Sequence, residues 1–426
     1  MTSFVSTRGG GAVPLPDALF AGLAPDGGLY VPTEVGRLGA PPSDLRELAD
    51  TGRWVGRSLL AGTDPVLIDR VVDAALDFPV PLVEVEPGLH VLELFHGPTH
   101  AFKDIGARFM ARLMAELDPG GGRRTVLVAT SGDTGSAVAH AFHGLDGYRV
   151  VVLFPKGKVS ARQRRQLTTL GGNVVALAVS GSFDDCQRMA KEAFRDPDLR
   201  RRHRLTSANS INIGRLIPQS FYYVHAAALL GWAERPARFV VPSGNLGNLC
   251  GGLLAHRAGM PTAGFVAATN ANRAFVDFVT EGRFEPRPSV PTFSSAMDVG
   301  DPSNLERIRW LYRDDPSAVS RDVTAVWVSD DETEACIADV FRRTGYVLDP
   351  HTAVGVRAHG QVVRGVGTPT VVLATAHPAK FPEVVEAAIG RGVPLPHGIA
   401  SVMEAEEHME EIAAELGALG AALEES

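Results

Sequence analysis

Seven apolar runs rich in β-branched residues recur between residues 125 and 376, and helical stretches separate them. The runs are TVLVAT (125–130), RVVVLFP (149–155), VVALAVS (174–180), RFVVPSG (238–244), GFVAATN (264–270), AVWVSD (325–330) and TVVLATA (370–376). Strands of this composition that alternate with helices form parallel sheets covered on both faces. The pattern therefore predicts an α/β fold with doubly wound parallel sheets, in which ligands bind where strands end and helices begin.

The first 88 residues lack this alternation. They contain a glycine-rich stretch after Ser6 that we interpret as a loop, a turn beside a short edge strand at 24–32, and helical patterns at 44–60 and 65–76. A chain of 426 residues is long enough for two or three domains. We predict a small N-terminal domain (1–88), a small α/β domain that begins with a lysine segment (89–235), and a large α/β domain with a C-terminal helix (236–426).

Charge and cysteine usage exclude several classes of partner. The net charge of −8 argues against nucleic acid or an anionic membrane surface. The three cysteines lie far apart and match no zinc spacing, which favours a reduced, cytoplasmic protein without a metal site. The chain shows no secretory leader and no apolar run of membrane-spanning length, so we expect no membrane partner.

The stretch LFHGPTHAFKD (94–104) carries a lysine, Lys103, next to Phe102 and just before an amphipathic run. Gly97 and Pro98 indicate a turn, so the lysine lies at or near a helix N-terminus. A lysine partly desolvated beside an aromatic ring and a helix positive end loses its proton more readily than one in water. An unprotonated amine is required for a Schiff base with an aldehyde cofactor. A surface lysine at a helix start would give the same local pattern.

Two polar loops follow predicted strands. TSGDTG (130–135) could bind a carboxylate or phosphate at a helix N-terminus, although an ordinary N-cap turn favours the same residues. SGNLGN (243–248) follows RFVVP, and its two glycines and two asparagines favour a loop whose N–H groups converge on a phosphate. It has neither the Rossmann nor the Walker spacing.

Three further stretches contain candidate ligands. In ATAHPAKF (374–381), Thr375 could offer a hydroxyl to a ring nitrogen, and His377 and Lys380 could be ligands or edge residues. PKGKVSARQRRQ (155–166) and ANSINIGRLIPQ (208–219) could supply lysine, arginine, serine or asparagine to an anionic substrate. Solvated helix faces are the alternative interpretation of both stretches.

Taken together, these motifs resemble the threonine synthase family. FHGPTHAFKD, TSGDTG, FPKGKVS, NSINIGR, SGNLGN and TAHPAKF occur in family order with an opening STRG and LAPDGGLYVP, and the match spans nearly the whole chain. The resemblance implies pyridoxal 5′-phosphate on a fold type II scaffold, shared with the tryptophan synthase β subunit. It also implies conversion of O-phospho-L-homoserine and water into L-threonine and phosphate.

The resemblance further implies roles for individual residues. Lys103 would form the Schiff base with the cofactor and then act as the general base. The cofactor phosphate would be bound by Gly244, Asn245, Leu246, Gly247 and Asn248. Thr375 would meet the pyridine nitrogen, and Asp133 lies where related enzymes place an asparagine near the cofactor 3′-oxygen. The substrate set would be Thr130, Ser131, Thr134, Asn209, Ser210 and Arg215, with Lys156 and Ser160 joining or replacing some of them in this longer branch.

Two alternatives remain open at this point. A phospho-lyase of the same family would release a 2-keto acid instead of threonine, although the intact first domain and TAHPAKF weigh against it. A non-catalytic metabolite-binding protein would not need Lys103 or the SGNLGN loop. The expected partner is a small molecule, and the chain could act as a monomer or a homodimer.

Overall fold

Three β-sheets organise the chain in a computed structural model, which describes residues 2–118, 120, 122–130, 132–362 and 367–425. The strands are β1 (Ser3–Ser6), β2 (Gly9–Pro14), β3 (Tyr30–Pro32), β4 (Leu82–Glu86), β5 (Leu89–Glu93), β6 (Arg124–Ala129), β7 (Tyr148–Pro155), β8 (Val174–Ser180), β9 (Thr206–Ser207), β10 (Arg238–Pro242), β11 (Phe265–Thr269), β12 (Val323–Trp327), β13 (Thr370–Ala374) and β14 (Glu410–Ala413). All seven strands predicted from the apolar runs are present, within a few residues of their predicted bounds.

The helices follow the strands in the expected alternation. They are α1 (Leu15–Ala21), α2 (Leu48–Leu59), α3 (Pro65–Ala75), α4 (Lys103–Leu117), α5 (Asp133–Phe142), α6 (Ala161–Thr168), α7 (Phe183–Arg195), α8 (Pro197–Arg202), α9 (Ile213–Leu216), α10 (Gln219–Leu229), α11 (Gly247–Arg257), α12 (Ala274–Glu281), α13 (Leu305–Leu311), α14 (Pro316–Asp322), α15 (Asp330–Thr344), α16 (Pro350–Val362), α17 (Pro382–Ile389), α18 (His397–Glu404) and α19 (Leu416–Glu425). In the part of the chain that the structure describes, no helix is long and apolar enough to cross a membrane.

The N-terminal residues form an antiparallel sheet in the order β2-β1-β3. The glycine-rich stretch that we expected to be a loop is the strand β2, so that expectation is wrong. The strand forms because β1 pairs with it in antiparallel orientation, with Phe4 opposite Val13 and, after a shift in register, Ser6 opposite Gly9. Cross-strand pairing, which is a non-local contact, here overrides the weak strand preference of glycine.

The two larger sheets are doubly wound. One has the order β12-β11-β10-β13-β5-β4 and is parallel except for β4, and the other has the order β14-β8-β7-β6-β9 and is parallel throughout. Successive residues of β6 face opposite cores: Val126 packs in the largest hydrophobic cluster, whereas Leu127 packs with Met189 and Leu419. Helices on both faces explain why these strands are apolar at most positions on both faces.

Strands that are distant in the sequence share the same sheet. The strand β5 and the later strands β10–β13 share one sheet, and the C-terminal strand β14 joins the sheet of β6–β9. Arg149 on β7 holds the end of the chain there, since its guanidinium donates hydrogen bonds to the carbonyl oxygens of Ala422 (2.9 Å) and Leu423 (2.7 Å) on α19. The division into 1–88, 89–235 and 236–426 stays a prediction.

Each larger sheet contains a point where the strand order reverses. From β10 the chain runs outward through β11 to β12 and then returns to β13 on the other side of β10. From β6 it runs outward to β8 and returns to β9 on the other side of β6. Such reversals open a crevice at the carboxyl ends of the two neighbouring strands. The SGNLGN loop follows β10, and Thr375 follows β13. TSGDTG follows β6, and residues 208–219 follow β9. The predicted loops therefore lie at the two points where the strand order reverses.

Candidate active site

Lys103 is the first residue of α4, as the sequence predicted. The segment before it lies along the end of β13: Ala101 forms an antiparallel bridge with Ala376, and the Phe102 N–H donates to the Thr375 carbonyl at 2.9 Å. Asp104 fixes the preceding turn, since its carboxylate accepts hydrogen bonds from the N–H (2.9 Å) and the hydroxyl (2.7 Å) of Thr99. The lysine is therefore held at the β10/β13 crevice by backbone contacts on both sides.

The surroundings of Lys103 favour its neutral form. Its side chain is 15% exposed, and its ammonium nitrogen lies 5.7 Å from the Phe102 ring centroid and 3.7 Å from Asp133 Oδ2. Burial lowers the pKa of Lys103, Asp133 opposes that shift, and the positive charges of Lys380 and Arg215 add to it. A lysine with a lowered pKa is the type of nucleophile and base that Schiff-base chemistry uses.

Asp133 and Lys380 form a buried ion pair beside Lys103. The Lys380 ammonium lies 2.7 Å from Asp133 Oδ1, and Gln163 donates to the same oxygen at 3.0 Å. Burial alone would raise the pKa of the Asp133 carboxyl, but the charges of Lys380 and Lys103 outweigh burial and lower it far below its usual range. Asp133 is therefore a carboxylate that faces Lys103.

The SGNLGN loop turns sharply from β10 into α11. Leu246 adopts a left-handed backbone conformation (φ 60°), and a Cβ on Gly244 would lie 2.7 Å from the Met297 Cα, so this position admits only glycine without a backbone shift. In the part of the chain that the structure describes, the N–H groups of residues 244–248 have no hydrogen-bond acceptor. Convergent unpaired N–H groups at a helix N-terminus have the donor chemistry of a phosphate site.

Side chains around this loop hold its shape. Asn245 accepts a hydrogen bond from the Ser303 N–H (2.6 Å) and donates to the Ser210 hydroxyl (2.8 Å). Asn248 Oδ1 accepts from the hydroxyls of Tyr222 (2.6 Å) and Tyr223 (2.8 Å), whereas its Nδ2 is buried without an acceptor. The unpaired Nδ2 is a further donor for an anion.

Thr375 follows the last residue of β13. Its carbonyl accepts the hydrogen bond from Phe102, and its hydroxyl makes no hydrogen bond to any residue that the structure describes. The side chain is only 7% exposed. A hydroxyl without a described protein partner can bond to a ligand, so Thr375 fits the predicted contact with a heteroaromatic ring nitrogen.

In the loop after β6, the Thr130 hydroxyl holds the backbone of the loop itself. The Thr130 hydroxyl accepts hydrogen bonds from the N–H groups of Gly132 and Gly135, both at 2.9 Å, and donates to the Gly132 carbonyl. Thr134 lies in the first turn of α5 next to Asp133. Ser131, also predicted here, lies outside the described residues.

The loop after β9 brings two unpaired polar atoms to the same region. Arg215 is 3% exposed and donates through Nη1 to the Ala208 carbonyl at 2.7 Å, whereas its Nε is buried without an acceptor. Asn209 Oδ1 is also buried and unpaired, and the Ser210 hydroxyl contacts Asn245 of the SGNLGN loop. Burial lowers the pKa of Arg215 to about 10, partly opposed by Asp104. An arginine so deeply buried is an anion-binding candidate.

Lys156 and Ser160 make other contacts. The half-exposed Lys156 ammonium pairs with Glu411 on β14 at 2.6 Å. Ser160 caps α6, where its hydroxyl accepts the Gln163 N–H at 3.3 Å. The structure therefore does not bring Lys156 to the other predicted residues, whereas Ser160 is connected to Asp133 through Gln163. The substrate role of both residues stays a prediction.

Sequence reasoning missed one buried residue that connects the parts of the site. Arg307 on α13 is fully buried, and its guanidinium donates to the carbonyls of Tyr30 (3.1 Å) and Ile211 (2.6 Å) and to Asn304 Oδ1 (2.7 Å). Asn304 in turn donates to the Asn245 carbonyl at 3.0 Å. Arg307 thereby joins the N-terminal sheet to both polar loops. No local motif marks it, because all its acceptors except that of Asn304 are distant in sequence.

The fold and the site define a pyridoxal-phosphate dependent enzyme. Residues 79–375 match the family model of that description, which covers Lys103, both reversal points and Thr375. Residues 3–51 match the model of the threonine synthase N terminus, and residues 352–422 match that of the threonine synthase C-terminal region. The chain belongs to the threonine synthase family.

Relatives and solved structures agree with this assignment. Threonine synthase of Haemophilus influenzae is 42% identical over 388 residues, which is 90% of each chain. A crystal structure of PLP-bound threonine synthase from Brucella melitensis is 37% identical and superposes with a TM-score of 0.93 over 99% of each chain. Yeast threonine synthase is 30% identical with a TM-score of 0.91, and the match covers 100% of this chain and 98% of the other.

The family assignment confirms the predicted fold class, cofactor and activity. The chain has the α/β architecture of pyridoxal-phosphate fold type II, with a small N-terminal domain. It is a pyridoxal-phosphate-dependent lyase with threonine synthase function. The residues present fit the cofactor: a buried lysine with a lowered pKa, unpaired N–H groups for a phosphate, and an unpaired hydroxyl for a ring nitrogen.

Proposed function

We propose that the chain converts O-phospho-L-homoserine and water into L-threonine and inorganic phosphate in the cytoplasm, as a monomer or a homodimer. The main support is the convergence of two sets of donors. The unpaired N–H groups of residues 244–248 lie after β10, and the buried guanidinium of Arg215 lies after β9. The hydrogen bond between Asn245 and Ser210 joins the two loops. Two neighbouring donor sets suit a phosphorylated cofactor and a phosphorylated substrate bound together.

The cofactor would be held by residues of both faces of the crevice. Lys103 would attach it covalently, the N–H groups of residues 244–248 would bind its phosphate, and Thr375 would meet its ring nitrogen. Asp133 would lie on the side of the 3′-oxygen. Bound pyridoxal phosphate supplies an electron sink for the bonds that break at the substrate carbon atoms.

Lys103 would act as the general base. Its amine is buried and has a lowered pKa, so it can take a proton from Cα and then from Cβ of a bound substrate and later return one. A low exposed fraction also keeps bulk water from competing for the same protons.

Departure of phosphate from Cγ would rely on cationic and N–H donors. Arg215 carries an unpaired Nε and a charge that only Asp104 partly offsets. Such donors stabilise negative charge that grows on the leaving group more strongly than charge already present in the substrate. Thr134, Asn209 and Ser210 would complete this set, and Lys156 would join it only by leaving Glu411.

Product analysis tests the proposal against the alternative phospho-lyase. Purified protein with pyridoxal phosphate and O-phospho-L-homoserine is expected to release threonine and phosphate in equal amounts. Release of phosphate with a 2-oxo acid and no threonine would support the lyase instead. No turnover by a protein that carries the cofactor would contradict both.

A further inference from the structure

Three ionisable side chains share one buried cluster at the reactive lysine. Lys380 is fully buried, Asp133 is 3% exposed and Lys103 is 15% exposed. The cluster holds two amines and one carboxylate, so one carboxylate cannot compensate two ammonium groups. Burying an uncompensated charge is costly, and one of the two amines must therefore be the less strongly compensated.

The distances show which of the two amines, Lys380 or Lys103, lies closer to the Asp133 carboxylate. Lys380 Nζ lies 2.7 Å from Asp133 Oδ1 and has a second acceptor, the Thr99 carbonyl, at 2.8 Å. Lys103 Nζ lies 3.7 Å from Asp133 Oδ2, which is longer than a hydrogen bond. Lys380 is therefore the hydrogen-bonded counter-ion of Asp133, and Lys103 makes only a longer ion pair with the same carboxylate.

Lys380 is also fixed to the turn that carries Lys103. The Thr99 carbonyl accepts hydrogen bonds from Lys380 and from Gln166 (3.2 Å), and the N–H and hydroxyl of the same threonine bind Asp104. Lys380 lies in a single helical turn directly after β13. Lys380 thus contacts both Asp133 and the turn that precedes Lys103, which a lysine with only a packing role would not require.

We propose that Lys380 is a positioning residue for Lys103 that acts through Asp133: it occupies the hydrogen-bonding position at the carboxylate, so that the Lys103 amine keeps only a long ion pair and is free for covalent chemistry. This rests on the proposed role of Lys103. The charged groups that face Lys103 from the elements packed around it are Asp133 on α5, Lys380 after β13 and Arg215 on α9. Substitution of Lys380 removes one of these charges and releases the Asp133 carboxylate from its hydrogen-bonded partner.

Competitive labelling of the amines tests this without turnover. Full-length protein freed of cofactor is treated with trace acetic anhydride across a pH series, and acetylation at residue 103 is quantified by peptide mass spectrometry. Lys191, exposed on α7, provides the internal reference in each sample. Labelling follows the neutral amine, so its pH midpoint reports the protonation of Lys103.

The variants shift the midpoint in opposite directions. In Lys380→Met, the uncompensated carboxylate stabilises the Lys103 ammonium, so the midpoint rises by roughly one to three pH units. In Asp133→Asn, Lys103 loses its nearest anion beside the Lys380 cation, so the midpoint falls. The double variant is expected to lie close to wild type. Lys158→Met, at an exposed position, serves as the matched control and leaves the midpoint unchanged.

An unchanged Lys103 midpoint in folded Lys380→Met protein would overturn the proposal. If that variant does not fold, an unchanged midpoint in Asp133→Asn would overturn it equally. A purely structural role for Lys380 would alter stability but leave the Lys103 midpoint of folded Lys380→Met protein at the wild-type value. Attachment of the cofactor to a lysine other than Lys103 in wild-type protein would instead contradict the proposed function, so the two failures are distinguishable.

Discussion

Gly244→Ala tests the assignment of the cofactor phosphate to the SGNLGN loop. The new Cβ would lie 2.7 Å from the Met297 Cα and 3.1 Å from the Ala296 carbonyl oxygen. Both neighbours are backbone atoms, so no side-chain rotation relieves the overlap and the loop must move by several tenths of an ångström. Such a shift disturbs the convergence of the N–H groups that follow.

The size of the effect follows from the hydrogen bonds at risk. A hydrogen bond to a charged group contributes about 1.5–3 kcal/mol. Loss of one such bond corresponds to a roughly 10- to 150-fold rise in the dissociation constant of the cofactor. Titration of the cofactor-free protein with pyridoxal phosphate, followed by the visible absorption band of the bound cofactor, measures this constant directly.

Gly247 offers a matched comparison within the same loop. A Cβ there would have its nearest neighbour, Asn304 Nδ2, at 3.4 Å, and Ser210 Cβ at 3.8 Å, both ordinary contacts. Gly247→Ala is therefore expected to bind the cofactor close to wild type, and Gly247→Val less well because its extra methyl groups press on those neighbours. Wild-type affinity in folded Gly244→Ala protein would refute the reasoning.

Three further predictions concern single side chains. Lys103→Ala is expected to lose turnover by orders of magnitude and to show no borohydride-fixed cofactor at residue 103 by peptide mass spectrometry. Arg215→Lys keeps the charge but not the planar guanidinium, so kcat/KM for O-phospho-L-homoserine should fall roughly 10- to 150-fold while the visible band stays unchanged; wild-type kinetics would place the phosphate site elsewhere. Burial raises the pKa of Asp104 to about 6 from 3.8, so the folded state binds this proton more tightly and loses stability as pH rises through that interval. Asp104→Asn should therefore reduce the fall of the melting temperature with rising pH over the same interval.

The sequence predicted those features of the site that depend on local pattern. Lys103 lies at a helix start because Gly97 and Pro98 make a turn before an amphipathic run, and the SGNLGN loop follows an apolar strand. Both signals lie within a dozen residues, and the structure confirms both positions.

Pairings between distant residues could not be predicted in the same way. The contact between Lys380 and Thr99 joins positions 281 apart, and that between Arg307 and Tyr30 joins positions 277 apart. A buried lysine and a surface lysine have the same letter, and only the packed fold distinguishes them. For the same reason no local pattern predicts that Lys156 pairs with Glu411 on β14.

The reaction in water enriched in oxygen-18 tests the central claim most directly. If phosphate leaves by cleavage of the Cγ–O bond and water adds at Cβ, threonine from O-phospho-L-homoserine carries one heavy oxygen in its hydroxyl group, and the released phosphate carries none. Mass spectrometry of both products measures this. Heavy oxygen in the phosphate together with unlabelled homoserine would show hydrolysis at phosphorus, and would contradict the account.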